Sequence, residues 1–159
     1  MKRILSLIIL GIVSVSLVSC GNDSSGEKDS EERIAATSIS TCEVLKELDL
    51  TVVGVPSSTL YDVTDYYEDA EVIGSPMSPD METLKALNPT DVIGPLSLKD
   101  SLQSQYEEIG VNSTYINLES VQGMYKSIED LGEKYNKQDR AAELVEDFKT
   151  FINEFQGEI

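Results

Sequence analysis

The chain predicts an α/β lobe: a Rossmann-like parallel sheet with helices on both faces, followed by a long helix. Three observations carry that expectation. Short β-rich runs, RIAAT (33–37), TVVGV (51–55), EVIG (71–74), DVIG (91–94) and STYINL (113–118), alternate with amphipathic stretches. Strands separated by helix-length segments argue for parallel pairing, since a parallel pair needs a crossover between its strands. After Leu118 the pattern changes, and two helical stripes follow one another to the end.

Ahead of the first strand, MKRILSLIILGIVSVSLVSC (1–20) begins with Lys2 and Arg3, runs uncharged and apolar from Ile4 to Val18, and reaches Cys20 through Leu17-Val18-Ser19. The run is short for a membrane span and reads as a secretory signal over 1–19 ending in a lipobox, to be set aside in reasoning about the fold. Membership of the bacterial lipoprotein class would imply cleavage before Cys20 and diacylation of its thiol; an uncleaved anchor helix is the alternative. Both readings place the domain on the extracytoplasmic face of the cell membrane. GNDSSGEKDSEE (21–32) has the composition of a disordered tether.

Twelve Lys and Arg stand against 29 Asp and Glu, a formal net charge of −17, and loss of Lys2 and Arg3 with the signal takes it from −17 to −19. Such a surface repels nucleic acid and anionic lipid, so contact with the membrane is expected through the lipid on Cys20. Cys42 is then left alone, which excludes an internal disulfide and suits a small buried hydrophobe. The chain contains no histidine. That removes Ser-His-Asp triads, Cys-His dyads and His-based metal sites, and no nucleophile with a base is visible, so an enzyme is not expected.

RIAAT reads as the first strand, and Ile39, Cys42, Leu45 and Leu48 then recur at helical spacing. TVVGV ends at Pro56 and a Ser/Thr cluster. Behind EVIG comes SPMSP (75–79), where two prolines stiffen a loop around Met77. Thioethers usually fill gaps in a core. On a stiff loop this one is presented outward, or else it packs beneath the loop. Ser78 reads as an N-cap, Pro79 as the first helical residue and Asp80 as a first-turn acid. That helix carries Met81, Leu84 and Leu87 inward and stops at Asn88-Pro89. DVIG leads to a helix with Leu98, Leu102, Tyr106 and Ile109, closed by Gly110. The closing stripes are Val121, Met124, Tyr125, Ile128, Leu131 and Tyr135, then Ala141, Leu144, Val145, Phe148, Ile152 and Phe155. The second has no strong stop signal before Ile159, so it is expected to dock against something beyond the last residue. The division expected is a lobe over 33–118 and a helical segment over 119–159, one domain of roughly 125 residues.

RIAATSIS (33–40), LKELDLTVVGVPSS (45–58), YYEDAEVIGSPMSPDMETLKALNPTDVI (66–93) and GMYKSIEDLGEKYNKQDRAAELV (123–145) resemble the substrate-binding lipoproteins of iron-complex ABC importers, most closely the haem receptors of the iron-regulated surface determinant type. The resemblance covers nearly all of 33–156. It implies a two-lobed clamshell joined by a spine helix, of which this chain carries the first lobe and the start of the spine. It implies capture of haem and delivery to an ABC permease. In this family the stretch matching IGSPMSP supplies an axial ligand to haem iron, which assigns Met77; a soft neutral thioether suits that role. Glu82 matches the acid presented to an arginine of the permease, with a solvated helix-face carboxylate as the alternative. Thr37, Ser38 and Ile39, with Ser40 and Thr41 after them, sit in a strand-to-helix turn whose amides and hydroxyls would take a propionate, or simply cap the helix. Ser57, Ser58 and Tyr61 fall in the second contact loop, and Tyr66 and Tyr67 are weaker candidates. The family's second axial ligand is a histidine of the second lobe, and neither is in this chain. A truncated or split gene, a deliberately cut chain, or a half-receptor with another partner would each explain that. Other cargoes within the family are a ferric siderophore or a cobalamin; a surface module that binds another protein without transporting is a further alternative.

Overall fold

In a computed structural model of the chain, residues 32–59, 63 and 65–157 are described. The expected signal, Cys20, the tether up to Glu31, and Tyr61 lie outside those residues. Five strands form one parallel sheet: β1 (Ile34–Ala36), β2 (Gly54–Val55), β3 (Glu71–Val72), β6 (Asp91–Pro95) and β7 (Ser113–Ile116). Their spatial order is β3-β2-β1-β6-β7. Ala35 pairs with Gly54 on one side and with Val92 on the other. The order therefore turns back at β1, and a switch point opens between β1 and β6 at the carboxyl ends of the strands.

Alternation along the strands sorts the core into two halves, one on each face of the sheet. Ile34, Ala36, Val55, Ile93 and Ile116 face α1 (Ile39–Glu47), α4 (Val121–Lys134) and α5 (Gln138–Gly157). Ala35, Ile73 and Val92 face α2 (Met81–Leu87) and α3 (Lys99–Glu108). Helices on both faces of a parallel sheet are what the periodicity anticipated. Leu84 of α2 and Leu131 of α4 are fully buried, so truncating either to alanine should cost about 2–5 kcal/mol. The stripes after Leu118 bury Ile128, Leu131, Leu144 and Val145 in the same cluster as Ile34 and Ala36.

One boundary differs from the sequence reading. Ser78 and Pro79 do not open the helix; they form β5, paired antiparallel with β4 (Gly74–Ser75). Asp80 is the cap instead, its carboxylate accepting from Glu82 N at 2.9 Å and Thr83 N at 3.0 Å. The hairpin ladder claims Ser78, and an aspartate two residues later takes two of the helix's orphan donors. TVVGV likewise yields only Gly54–Val55 as ladder.

α4 and α5 run antiparallel. A side chain at Gly132 would meet Ala141, and Lys149 Nζ lies 5.9 Å from the ring centre of Tyr125. The turn between the helices passes through Asn136 at φ 57°. Arg140 fastens the foot of α5 to the end of α1, donating from Nε to Glu47 O at 2.7 Å and from Nη2 to its carboxylate at 3.1 Å. Among the described residues no helix is long and apolar enough to cross a membrane.

Candidate ligand site

The loops leaving β1, β2, β3, β6 and β7 gather at one edge of the sheet, and most of the residues singled out from the sequence lie on them. Met77 is the most conspicuous. It shares a two-residue turn with Pro76 at the tip of the β4–β5 hairpin and is 78% exposed. Neither Pro76 nor Met77 has positive φ, which suits proline's fixed torsion at the first turn position. Gly74 at the base does need its φ of +90°, and an added Cβ would meet Asp80 N at 3.0 Å and Ser78 O at 3.1 Å. Three backbone bonds hold that base: Ser57 N to Gly74 O (2.8 Å), Ile73 N to Val55 O (2.9 Å) and Asp80 N to Ile73 O (2.7 Å). The stem is fixed and the thioether at its tip is free, so the outward reading of Met77 prevails over packing beneath the loop.

The turn after β1 is built differently. Thr37 is 2% exposed; its N–H and its Oγ1 both donate to Ile93 O, at 2.9 and 3.3 Å. Gly94 is there because Thr37 Oγ1 lies only 2.5 Å from where its Cβ would sit. Ser38 caps α1, its Oγ accepting from Thr41 N at 3.2 Å and lying 2.8 Å from Thr41 Oγ1. The capping role read as an alternative is therefore present. Ile39 is half-buried against the core. What the turn leaves open are the backbone N–H groups of Ile39 and Ser40, the first two helical positions, which have no intrahelical acceptor. Ser40 is exposed, with Oγ 3.1 Å from Ser38 Oγ. Ser40 belongs to the 37–41 segment singled out from the sequence, and its hydroxyl, unlike that of Thr37, is on the surface.

Ser57 and Ser58 are exposed on the loop after β2. Tyr66 and Tyr67 do not point to the edge. Tyr67 is buried and donates to Leu50 O at 3.0 Å, while Tyr66 donates to Glu43 at 2.7 Å with Lys46 Nζ 4.3 Å from its ring centre. Burial, then the charge of Glu43, pushes the Cys42 thiol up to about 12, so it is an inert core residue as expected. Glu82 stands exposed in the first turn of α2, close in sequence to the Met77 hairpin.

At the opposite edge of the sheet Asp91, buried at the start of β6, accepts from Thr114 Oγ1 and Tyr135 OH at 2.7 Å each and pairs with Lys134. Burial, then the hydrogen bond to Asp91, drives the Tyr135 hydroxyl well above its ordinary value. This cluster ties α4 to the sheet. A cavity of about 340 Å³ between α4 and α5, lined by Glu129, Glu133 and Gln138, is also remote from the edge loops. Among the described residues no three His, Cys, Asp or Glu gather to hold a metal ion. Chemically the edge offers one soft donor and a pair of open helix N–H groups, which fits a metal-centred ligand carrying a carboxylate.

Residues 34–158 match the family described as periplasmic binding protein. The chain belongs to that family. A curated relative, the high-affinity heme uptake system protein IsdE of Staphylococcus aureus (strain Newman), is 38% identical over 146 residues, covering 91% of this chain and 50% of that protein. The crystal structure of S. aureus IsdE complexed with heme aligns at 32% identity and a TM-score of 0.75, over 80% of this chain and 49% of that one. An ABC transporter substrate-binding protein from Listeria monocytogenes EGD-e aligns at 30% identity and a TM-score of 0.76, over 80% and 49%. The chain thus spans about half the length of the proteins it matches.

Proposed function

We propose that the chain is the haem-binding lobe of an extracytoplasmic substrate-binding protein that delivers an iron porphyrin to an ABC importer and is held to the membrane by lipid on Cys20. The observation that carries this is Met77: an exposed thioether at the tip of a pinned hairpin. A thioether coordinates haem iron as a soft neutral ligand. Because the stem is already ordered, coordination costs little further entropy. One propionate goes to the N–H groups of Ile39 and Ser40 at the start of α1, where the helix dipole favours negative charge. Thr37 and Ser38 contribute by shaping that turn, their hydroxyls being engaged within it. Ser57 and Ser58 meet the porphyrin edge, Tyr61 is assigned to the same contact by the resemblance alone, and Glu82 meets an arginine of the permease, a rim contact that sets docking rate and register.

The distribution of cations favours a porphyrin over a polyanionic siderophore. Lys46, Lys85 and Lys134 stand in the last turns of α1, α2 and α4, away from the loops, and Arg33 is spent on Leu87 O. Among the described residues Lys99, opening α3, is the cation nearest in sequence to an edge loop. The sequence contains no histidine, so a histidine ligand on the second face of the iron would have to come from outside this chain.

Titration of haemin into the purified chain and into Met77→Ala tests the assignment. The wild type is expected to show a thioether-dependent Soret shift that the variant lacks, with affinity at least about tenfold weaker in the variant. Superimposable spectra would remove the claim for this sulfur.

A further inference from the structure

Thiol and thioether sulfurs are the side-chain atoms most readily oxidised, and exposure governs which of them react. In this chain they meet solvent very unequally. Of the four methionines, Met1 falls within the expected signal. Met81, at the start of α2, is half-buried against the cluster that holds Leu84, and Met124 of α4 is half-buried against the cluster that holds Leu131. The Cys42 side chain is fully buried. Met77 is 78% exposed at the tip of its hairpin. Among the described residues it is therefore the sulfur that a dissolved oxidant meets without any movement of the fold.

With a hydroperoxide the step balances without help from another side chain. A lone pair of Met77 Sδ attacks the outer oxygen, and the S–O bond forms as the O–O bond breaks. Sulfur gives up two electrons and the peroxide takes them. The proton on the transferred oxygen leaves with the other half, as an alcohol, or as water when the oxidant is hydrogen peroxide. The product is a polar, chiral sulfoxide. Inside a core such a change disturbs packing, but Met77 has little packing to lose, and its hairpin stem is held by backbone bonds from Ser57, Ile73 and Asp80. What disappears is the soft donor: one lone pair now forms the S–O bond, and a hard oxygen stands in front of the sulfur. The fold survives a modification that the proposed iron ligand does not.

Resting on the haem reading above, we propose that Met77 is a modification site for hydroperoxides, and that the sulfoxide formed there is a reversible off-state for capture of the iron. The test begins without haemin. The purified chain is exposed briefly to dilute hydrogen peroxide, and oxidation of each methionine is followed by peptide fragmentation mass spectrometry. Met77 is expected to react at least about tenfold faster than Met81 or Met124. Haemin titrated into the chain oxidised at Met77 should then give the spectrum and affinity of Met77→Ala, about tenfold weaker than the untreated chain, at an unchanged thermal unfolding midpoint. Met77→Ala taken through the same treatment should bind as before, which assigns the loss to this sulfur. Methionine sulfoxide reductases for the two epimers, with a thiol reductant, should restore the Soret shift. Oxidation of Met81 or Met124 as fast as Met77, or an unaltered Soret shift once Met77 is oxidised, would overturn the proposal. An untreated chain that binds no haemin would overturn the haem reading instead, and the off-state with it.

Discussion

The hairpin that carries Met77 and the turn that carries Thr37 and Ser38 occupy the same edge of the same sheet, yet they spend their side chains in opposite ways. In the hairpin, backbone bonds do the holding: Ile73 is tied to β2, Gly74 to the loop after it and Asp80 back to Ile73, and the side chain at the tip is left over. In the turn, side chains do the holding: Thr37 Oγ1 donates to Ile93 O, and Ser38 Oγ caps α1. A position at the mouth of an α/β sheet therefore makes a residue a candidate, and hydrogen-bond accounting decides whether its side chain is available. On this comparison the hairpin offers an atom of a side chain, whereas the turn offers backbone N–H.

Changes at the two bases should produce different failures. Gly74→Ala forces a φ of +90° on a residue with a Cβ and drives that atom to 3.0 Å from Asp80 N. A stability loss of about 1–3 kcal/mol is expected, readable in urea. The Met77-dependent Soret shift should weaken with it, because the stem no longer aims the sulfur. If the shift survives intact, the hairpin is not what positions the thioether. Ser38→Ala is expected to cost less, about 1 kcal/mol, the usual loss for a serine cap. Here the Soret shift should be unchanged, since Met77 is untouched and the N–H groups of Ile39 and Ser40 remain. Loss of haemin affinity at unchanged stability would mean that the Ser38 hydroxyl itself meets the ligand, and the contrast between the two loops would fail.

Much of this was legible along the chain, because it depends on local spacing. Strand–helix alternation, the inward set Leu84, Leu102, Ile128 and Leu131, and the presentation of Met77 between prolines are patterns a few residues long. What escaped depends on pairs far apart. That Thr37 is consumed follows from Ile93 O, 56 residues away. That Pro79 is ladder and not helix follows from its register with Gly74, combined with an aspartate able to cap one step later. The anchoring of α4 by Asp91 joins residues 43 and 44 apart, and nothing in the run DVIG announces a buried carboxylate with three donors.

The smallest effect concerns the rim. Glu82 is exposed, and its N–H, not its carboxylate, is the group bound to Asp80. Exchange for glutamine keeps the shape, removes one charge from the first turn of α2, and should change stability by no more than about 0.5 kcal/mol. Haemin affinity and the Soret shift should match the wild type, because neither the hairpin stem nor the turn after β1 uses this side chain. If Glu82 is the docking acid, the loss appears only in association with permease-containing vesicles, as a slower on-rate whose difference from wild type shrinks with added salt. Unchanged association at low salt would return Glu82 to the ordinary solvated acids of a strongly acidic chain. Altered haemin binding would instead show that the rim of α2 and the hairpin beside it are one site, with the charge at its border and the sulfur at its centre.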